Sequence, residues 1–224
     1  MSALHADALA TLRSWPAPDH DQERLRQRYL AHLEAHPTGL DRGCRPDHVT
    51  ASTLVLSSDH SQVLLTLHAK AERWFQFGGH CELGDLRLRD AATREAREES
   101  GLAGLSLDPV PVQLSEHAVP FCRDPGAPPP SSAAPSGSTV DPAMGPAMGP
   151  ANGPAIVHHL DVRFLAVVPA DAVPSVSEES LDVRWWPVSE LPEPDLDLVD
   201  LVRLGITRAE TRVLEVSRRT PRAE

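Results

Sequence analysis

The chain has 224 residues with 21 Lys or Arg and 32 Asp or Glu, which gives a formal net charge of −11 at pH 7. This length suits one domain with a sizeable core and additional segments, and the acidic balance argues against a nucleic-acid polymer as partner. No apolar run approaches the ~20 residues of a membrane span, and residues 1–19 lack the features of a signal peptide. We therefore expect a cytoplasmic protein that has no membrane partner.

Residues 1–48 are predicted to form an N-terminal helical extension. Residues 19–35 carry apolar side chains at helical spacing, namely Leu25, Tyr29, Leu30 and Leu33. Pro16 and Pro18 separate this segment from a shorter helix before it. We expect both helices to pack on the core, where they could also serve as a homodimer surface.

The predicted core covers residues 49–192. Residues 49–57, 62–68, 105–107, 110–119, 156–168 and 184–187 have the composition of strands, and residues 74–77 lead into the pair Gly78-Gly79. Residues 88–100 have several alanines and no proline, and Gly101 follows as a C-terminal cap, so they predict a helix. Residues 193–224 are interpreted as a C-terminal helix and tail. Strands and helices mixed at these intervals predict an α/β fold with a sheet covered on both faces.

One segment, residues 123–154, interrupts this core. Pro, Ala, Gly and Ser dominate it, and a four-residue repeat, Pro-Ala-Met-Gly, occurs twice before a third copy with Asn in place of Met. The segment has too little apolar surface to offset the entropy lost on ordering. We therefore predict a disordered loop.

Three carboxylates lie on the side of the predicted helix that ought to face the core. On a helix that turns about 100° per residue, Glu95, Glu98 and Glu99 share a side with the apolar positions 88, 91 and 92. Buried carboxylates cost several kcal/mol each unless they are paired or bind a cation. A hard divalent cation such as Mg²⁺ or Mn²⁺ fits such a set of oxygen ligands. The alternative is a solvated helix with ion pairs between neighbouring turns.

The stretch from Gly78 to Leu102 resembles the signature of the Nudix hydrolases. That signature reads Gly, five residues, Glu, seven residues, then Arg-Glu-apolar-any-Glu-Glu-any-Gly-apolar, and the matching residues are Gly79, Arg94, Glu95, Ala96, Glu98, Glu99, Gly101 and Leu102. Asp85 stands in the place of the first Glu, and eight residues rather than seven separate it from Arg94. We expect Asp85 to cap the start of the helix. The resemblance covers about residues 49–192 apart from the insert, and it implies an α/β/α sandwich with a mixed sheet.

The same resemblance implies a metal-dependent hydrolase that cleaves a diphosphate linkage in a small nucleoside diphosphate derivative. Metal ions held by Glu95, Glu98, Glu99 and the carbonyl of Gly79 would neutralise phosphate charge and lower the pKa of a bound water. Glu95 is the first candidate for the general base, and Arg94 would orient the glutamates by ion pairing. The two glycines would let the backbone turn tightly towards the metal.

Two further residues are candidates for substrate binding. Glu179 lies in an acidic loop before the last strand, where it would serve as ligand or base unless it is an ordinary loop charge. Arg163 shares strand parity with His159 and Asp161 and would bind phosphate if that polar face lines the cleft. An ordinary cross-strand pair is the alternative for Arg163.

Other interpretations remain open at this point. A second metal site, of the zinc type, could involve residues that flank the insert, namely His117, Cys122, His158 and His159, although their spacing fits no compact ligand motif. Two other proteins on the same fold are conceivable: a diphosphate isomerase, which would use a cysteine such as Cys81, and a non-catalytic nucleotide-sensing module. Because all three glutamates are present, the enzyme is favoured. The loops that select among diphosphate substrates lie outside the signature.

Overall fold

The computed structural model describes residues 1–44, 47–119, 157–177, 180–192 and 195–219, with side chains up to residue 212. Within these residues the elements are, in chain order, α1 (Ala3–Ser14), α2 (His20–Ala35), β1 (Asp47–Ser57), β2 (Gln62–His68), β3 (Arg73–Phe75), β4 (Phe77–His80), α3 (Leu88–Ser100), β5 (Gln113–Ala118), β6 (His158–Val168), β7 (Ser180–Pro187) and α4 (Leu196–Arg219). Across these ranges, no helix is both long and apolar enough to cross a bilayer. The predicted disordered loop at 123–154 lies outside the described residues.

The strands form one mixed seven-stranded sheet with β1 near its centre. Strand order is β3-β2-β1-β6-β5, while β4 pairs with β1 and β7 pairs with β2. β1 runs parallel to β6 along its whole length. Its first half pairs antiparallel with β4 and its second half with β2. β1 therefore brings the glycine strand β4 into the middle of the sheet.

Helices cover both faces of this sheet, which confirms the predicted α/β/α sandwich. On one face, α1, α2 and α3 enclose a core that includes Leu12, Leu33, Val49, Leu88, Ala92 and Phe164. On the other face, α4 packs over a second core that includes Leu54, Leu56, Leu65, Leu165, Leu201 and Val202. The alternation of side chains along β1 and β6 separates these two sets.

The N-terminal helices are bound tightly to the sheet. The Gln22 side chain of α2 accepts a hydrogen bond from the Leu114 amide (2.7 Å) and donates one to the Leu114 carbonyl (3.0 Å). The Tyr29 hydroxyl donates to the Ser115 carbonyl at 2.7 Å, and the Trp15 indole donates to the Pro111 carbonyl at 2.6 Å. α2 thus covers β5, which is an edge strand of the described sheet.

Three predicted strands differ in extent from those observed. β5 begins only at residue 113, because Pro109 and Pro111 have no amide to donate to a ladder. Residues 105–107 form one isolated bridge, between Leu107 and Ala166. β7 is longer than predicted, since residues 180–183 continue the pairing with β2. Residues 74–77 divide between β3 and β4.

Candidate active site

Helix α3 ends as predicted and begins differently. Gly101 has φ 70°, in the left-handed region, and its amide donates to the Arg97 carbonyl at 2.9 Å. At the other end, the N-cap residue is Arg87, and the Leu88 amide donates to a carboxylate oxygen of Asp7 from α1 at 3.0 Å. The prediction that Asp85 caps this helix is therefore wrong. The N-terminal extension supplies the cap instead.

The glycine pair lies in strand β4, which runs between α3 and β1. The Gly78 amide donates a hydrogen bond to Glu99 Oε2 at 3.1 Å. A Cβ on Gly79 would come within 2.5 Å of Glu95 Oε1, and a Cβ on Gly78 would come within 2.7 Å of the Ser52 Cα. Both glycines pair in register with β1 and neither has a positive φ, so the predicted tight turn is wrong. Glycine is needed here because the helix carboxylates and β1 approach this backbone closely.

The three glutamates face the interior to different degrees. Glu99 is buried, with 8% of its surface exposed, and the Glu95 side chain is 16% exposed. The Glu98 side chain is 60% exposed. The inward direction of α3 is set by its fully buried residues Ala92 and Ala96, and Glu98 lies at the flank of that face. The expectation that all three carboxylates turn inward is thus correct for two of them.

The Arg94 side chain lies between these glutamates and Asp85. Its guanidinium donates to Glu95 at 3.0 Å, to Glu98 at 3.2 Å, to Asp85 at 3.1 Å and to the His80 carbonyl at 2.9 Å. Burial lowers the pKa of Arg94, but the hydrogen bonds and charges of Asp85 and Glu95 outweigh that effect and raise the pKa above its usual value. Arg94 therefore stays charged and holds the helix to the end of β4.

Arg163 lies on the polar face of β6, but its guanidinium is buried. It donates to Asp161 at 3.0 Å, to Gln113 at 2.7 Å and to Asp197 at 2.7 Å. These contacts are those of a cross-strand and sheet-to-α4 pair, which is the alternative considered for this residue. With 3% of its side chain exposed, Arg163 has the environment of a structural ion pair.

Of the residues that flank the insert, His117 and His159 lie together on one face of the sheet, with ring centroids 5.5 Å apart. His158 lies on the opposite face from His117 and His159, and its Nδ1 is 3.0 Å from an oxygen of the buried Asp47. Cys122 and Glu179 lie outside the described residues. The predicted second metal set therefore divides between the two faces of the sheet.

His159 instead meets two histidines that the sequence did not single out, His48 on β1 and His80 on β4. The ring centroid of His159 lies 4.8 Å from that of His48 and 4.9 Å from that of His80. Burial, together with the neighbouring His80 and His48, lowers the pKa of His159 to about 2. The sequence signal for this group is the shared parity of the polar residues 48, 50 and 52, which places their side chains on one face of β1.

The fold and the carboxylate helix together define a class of protein, an α/β/α sandwich that presents helix carboxylates to a glycine strand. The chain belongs to the Nudix family, whose NUDIX domain matches residues 46–202. Members of this class hydrolyse pyrophosphate bonds, and the chain is accordingly a hydrolase of that type.

Several solved structures are similar in fold. They include a C. elegans Ap4A hydrolase (13% identity, TM-score 0.48, covering 73% of this chain and 98% of that chain) and the E. coli dihydroneopterin triphosphate pyrophosphohydrolase (15%, 0.48, 71% and 95%). A third is the NUDIX domain of Shewanella oneidensis NrtR complexed with ADP ribose (14%, 0.48, 75% and 92%). At these identities and TM-scores the likeness identifies no substrate. No curated protein matches the sequence.

Proposed function

We propose that this protein is a metal-dependent hydrolase that cleaves a diphosphate linkage in a nucleoside diphosphate derivative. One observation carries the proposal: two largely buried carboxylates, of Glu95 and Glu99, lie directly against the backbone of Gly79 and Gly78. Burying carboxylates is unfavourable unless cations compensate them. Arg94 contributes one positive charge to three carboxylates, of Asp85, Glu95 and Glu98, so the cluster keeps a net negative charge.

The donors of this cluster suit a hard divalent cation. We propose that Glu95, Glu98, Glu99 and the Gly79 carbonyl hold Mg²⁺ or Mn²⁺, both of which prefer oxygen ligands. When bound, such an ion neutralises phosphate charge and lowers the pKa of a coordinated water. Because Glu98 is the most exposed of the three glutamates, we propose that it lies at the mouth of the site.

Other side chains would position the metal ligands and accept a proton. Arg94 fixes the rotamers of Glu95 and Glu98 by hydrogen bonds of 3.0 and 3.2 Å, which keeps both carboxylates in place before substrate arrives. Glu95, held between Arg94 and Gly79, is our candidate for the base that accepts the proton of the attacking water. Asp85 acts through Arg94 and is a positioning residue. Glu179 remains a candidate further ligand by its place in the sequence.

Two alternatives make different predictions. A nucleotide-sensing module would bind nucleotide without turnover, but the chain keeps each acidic residue of the helix signature. An isomerase that relies on Cys81 is disfavoured, because burial and the nearby Asp85 charge raise the pKa of this thiol to about 12. Residence in the cytoplasm and a homodimer formed through α1 and α2 remain predictions of this proposal.

The proposal is tested by incubating the full chain with Mg²⁺ or Mn²⁺ and a panel of nucleotide sugars, dinucleoside polyphosphates, ADP-ribose and oxidised nucleoside triphosphates. We expect turnover of at least one compound, and a loss of about 100-fold or more in kcat for Glu98→Gln. Glu98 is exposed, so this variant should fold normally. Glu210→Gln, an exposed position on α4, is the matched control. Equal turnover in both variants would remove Glu98 from the catalytic site.

A further inference from the structure

The polar face of the sheet carries a row of imidazoles across four neighbouring strands. His48 pairs in register with His159, and His159 pairs with His117. His80 lies diagonally across from His48, since its register partner is Thr50. We propose that His48, His80 and His159 bind a divalent transition-metal ion of the zinc type, at a site separate from the carboxylates of α3. This site does not depend on the proposed hydrolase activity.

The geometry of the three side chains is close to that of a metal site. Each offers one ring nitrogen, and these three atoms lie within 4.8 Å of one another. The Nε2 atoms of His48 and His80 share a hydrogen bond of 3.1 Å, and a metal ion would displace the proton between them. Zinc–nitrogen bonds of about 2.0–2.1 Å in a tetrahedral arrangement place ligand nitrogens roughly 3.3 Å apart. Two rings already have that separation, and a small rotation of the His159 ring would complete the set.

The chemistry of the donors selects the ion. Three imidazoles favour Zn²⁺, Co²⁺, Ni²⁺ or Cu²⁺, whereas Mg²⁺ prefers the oxygen ligands of α3. The ligands project from paired strands, which fix their Cα positions better than loops do. His48 is fully buried while His80 and His159 are half-buried. The group is therefore enclosed by protein at His48 and reaches solvent on its other side. That open side would leave the fourth position to water.

A neighbouring group on the opposite face is a weaker candidate. Asp47, Glu116 and His158 also bring potential ligand atoms within 4.8 Å. Arg28 already binds both carboxylates of this group. A metal ion there would have to replace a guanidinium.

Metal at the three histidines would affect the catalytic end of β4. His80 follows Gly79 directly, and its carbonyl accepts a hydrogen bond from Arg94 at 2.9 Å. An ion that ties the His80 ring to β1 and β6 would therefore hold the backbone that positions Arg94. Because the ion binds the folded state, it should raise the Tm, and the stabilisation should grow with the logarithm of the ion concentration once this exceeds the Kd.

The test is a titration of the full chain with Co²⁺ in excess Mg²⁺, which occupies the carboxylate site. Visible absorption of tetrahedral cobalt reports the binding, and Zn²⁺ should displace it. We expect one Co²⁺ per chain, with affinity lowered by more than about tenfold in His80→Gln and in His159→Gln. His158→Gln, one residue away on the opposite face, and His20→Gln, exposed at the start of α2, should bind as the parent does.

Other outcomes contradict the proposal. Absence of Mg²⁺-resistant cobalt binding by the folded parent would overturn it, and so would a loss in His158→Gln that equals the loss in His159→Gln. Thermal unfolding without metal verifies that each variant folds, and a shift of Tm by Zn²⁺ should disappear in the two site variants. Glu98→Gln should keep the cobalt spectrum while losing turnover. Failure of the histidine site is thereby distinguished from failure of the hydrolase proposal.

Discussion

Asp85 and Arg94 are joined by two hydrogen bonds, from Nη2 to Oδ2 at 3.1 Å and from Nε to Oδ1 at 3.4 Å. Asp85 is buried, and its Oδ2 also accepts the Glu82 amide at 2.8 Å. The shorter Asp and the one-residue insertion after it therefore still deliver a carboxylate to Arg94. The departure from the family signature is compensated in the loop that precedes α3.

The first prediction concerns this pair. Asp85→Asn removes the charge that faces Arg94 and leaves the guanidinium to be balanced by Glu95 and Glu98. We expect the free energy of unfolding to fall by about 1–3 kcal/mol, since a buried hydrogen bond to a charged group is lost. We also expect kcat to fall about tenfold with a smaller change in KM, because Arg94 no longer holds the glutamates in place. Urea unfolding and steady-state kinetics measure both.

The matched control for Asp85 is Asp90→Asn. Asp90 pairs with Arg87 at 2.8 Å on the exposed side of the same helix. Pairs of this kind contribute about 0–1 kcal/mol, so both stability and kcat should stay close to the parent values. If Asp85→Asn behaves like Asp90→Asn, then Asp85 has no positioning role.

The second prediction separates the two glycines of β4. A Cβ at Gly79 would meet the end of the Glu95 side chain, which can move, whereas a Cβ at Gly78 would meet the Ser52 backbone, which cannot. Gly79→Ala should therefore displace a candidate metal ligand and reduce kcat by at least about tenfold with little loss of stability. Gly78→Ala should destabilise the fold by about 1–3 kcal/mol, as overpacking does.

Kinetics and thermal unfolding of both glycine variants test this separation. Gly84→Ala is the control, because nothing lies within 4 Å of a Cβ at that position. The interpretation fails if Gly79→Ala loses stability as strongly as Gly78→Ala, or if it retains full kcat. Either result would mean that Glu95 is not positioned through its contact with Gly79.

Local patterns were enough to predict part of this site. The alanines of α3 and the cap at Gly101 depend on neighbours within one helical turn, and the carboxylate spacing is a property of the same helix. The exposed position of Glu98 was missed because the direction of burial is set by β1 and β4. The tight turn predicted at the two glycines was wrong for a similar reason. Only the tertiary structure shows that Glu95 and β1 lie against this backbone.

Long-range contacts explain the remaining differences. His48 and His159 are adjacent only because β1 and β6 run parallel in register, and the two residues are 111 positions apart in the chain. Asp7 caps α3 from a helix more than 80 residues earlier. The parity of Arg163 was predicted correctly, but its partner Asp197 lies on α4 across the second core. No periodicity in one segment contains such information.

The third prediction concerns the reactivity of Cys81. Burial and the nearby Asp85 charge raise the pKa of this thiol to about 12, so at pH 8 about one molecule in 10⁴ carries the thiolate. A raised pKa keeps the thiol protonated at neutral pH, and reactivity should rise about tenfold per pH unit until the pH approaches 12. In a Cys44→Ser, Cys122→Ser background, alkylation by iodoacetamide at pH 8 should be at least about 100-fold slower than in the urea-unfolded chain.

The result also bears on the isomerase alternative. Cys81→Ser should keep the hydrolase activity, because the thiol contributes no group to the carboxylate cluster. Rapid alkylation of Cys81 in the folded protein, blocked by a nucleoside diphosphate derivative, would instead support a reactive cysteine within the site. Mass spectrometry of the labelled peptide identifies the modified residue.

The last prediction concerns how α2 protects the sheet. The Gln22 amide satisfies both the donor and the acceptor of Leu114, as a neighbouring strand would. Gln22→Ala leaves these two backbone groups without their side-chain partner, which should lower the free energy of unfolding by about 1–3 kcal/mol. An uncovered edge strand also invites pairing with another chain, so the variant should associate more readily than the parent.

Gln27→Ala, on the exposed side of the same helix where Gln27 bonds to Glu23 at 2.8 Å, should change neither property. Urea unfolding and sedimentation velocity measure both effects, and equal behaviour of the two variants would show that the helix, and not this amide, protects β5.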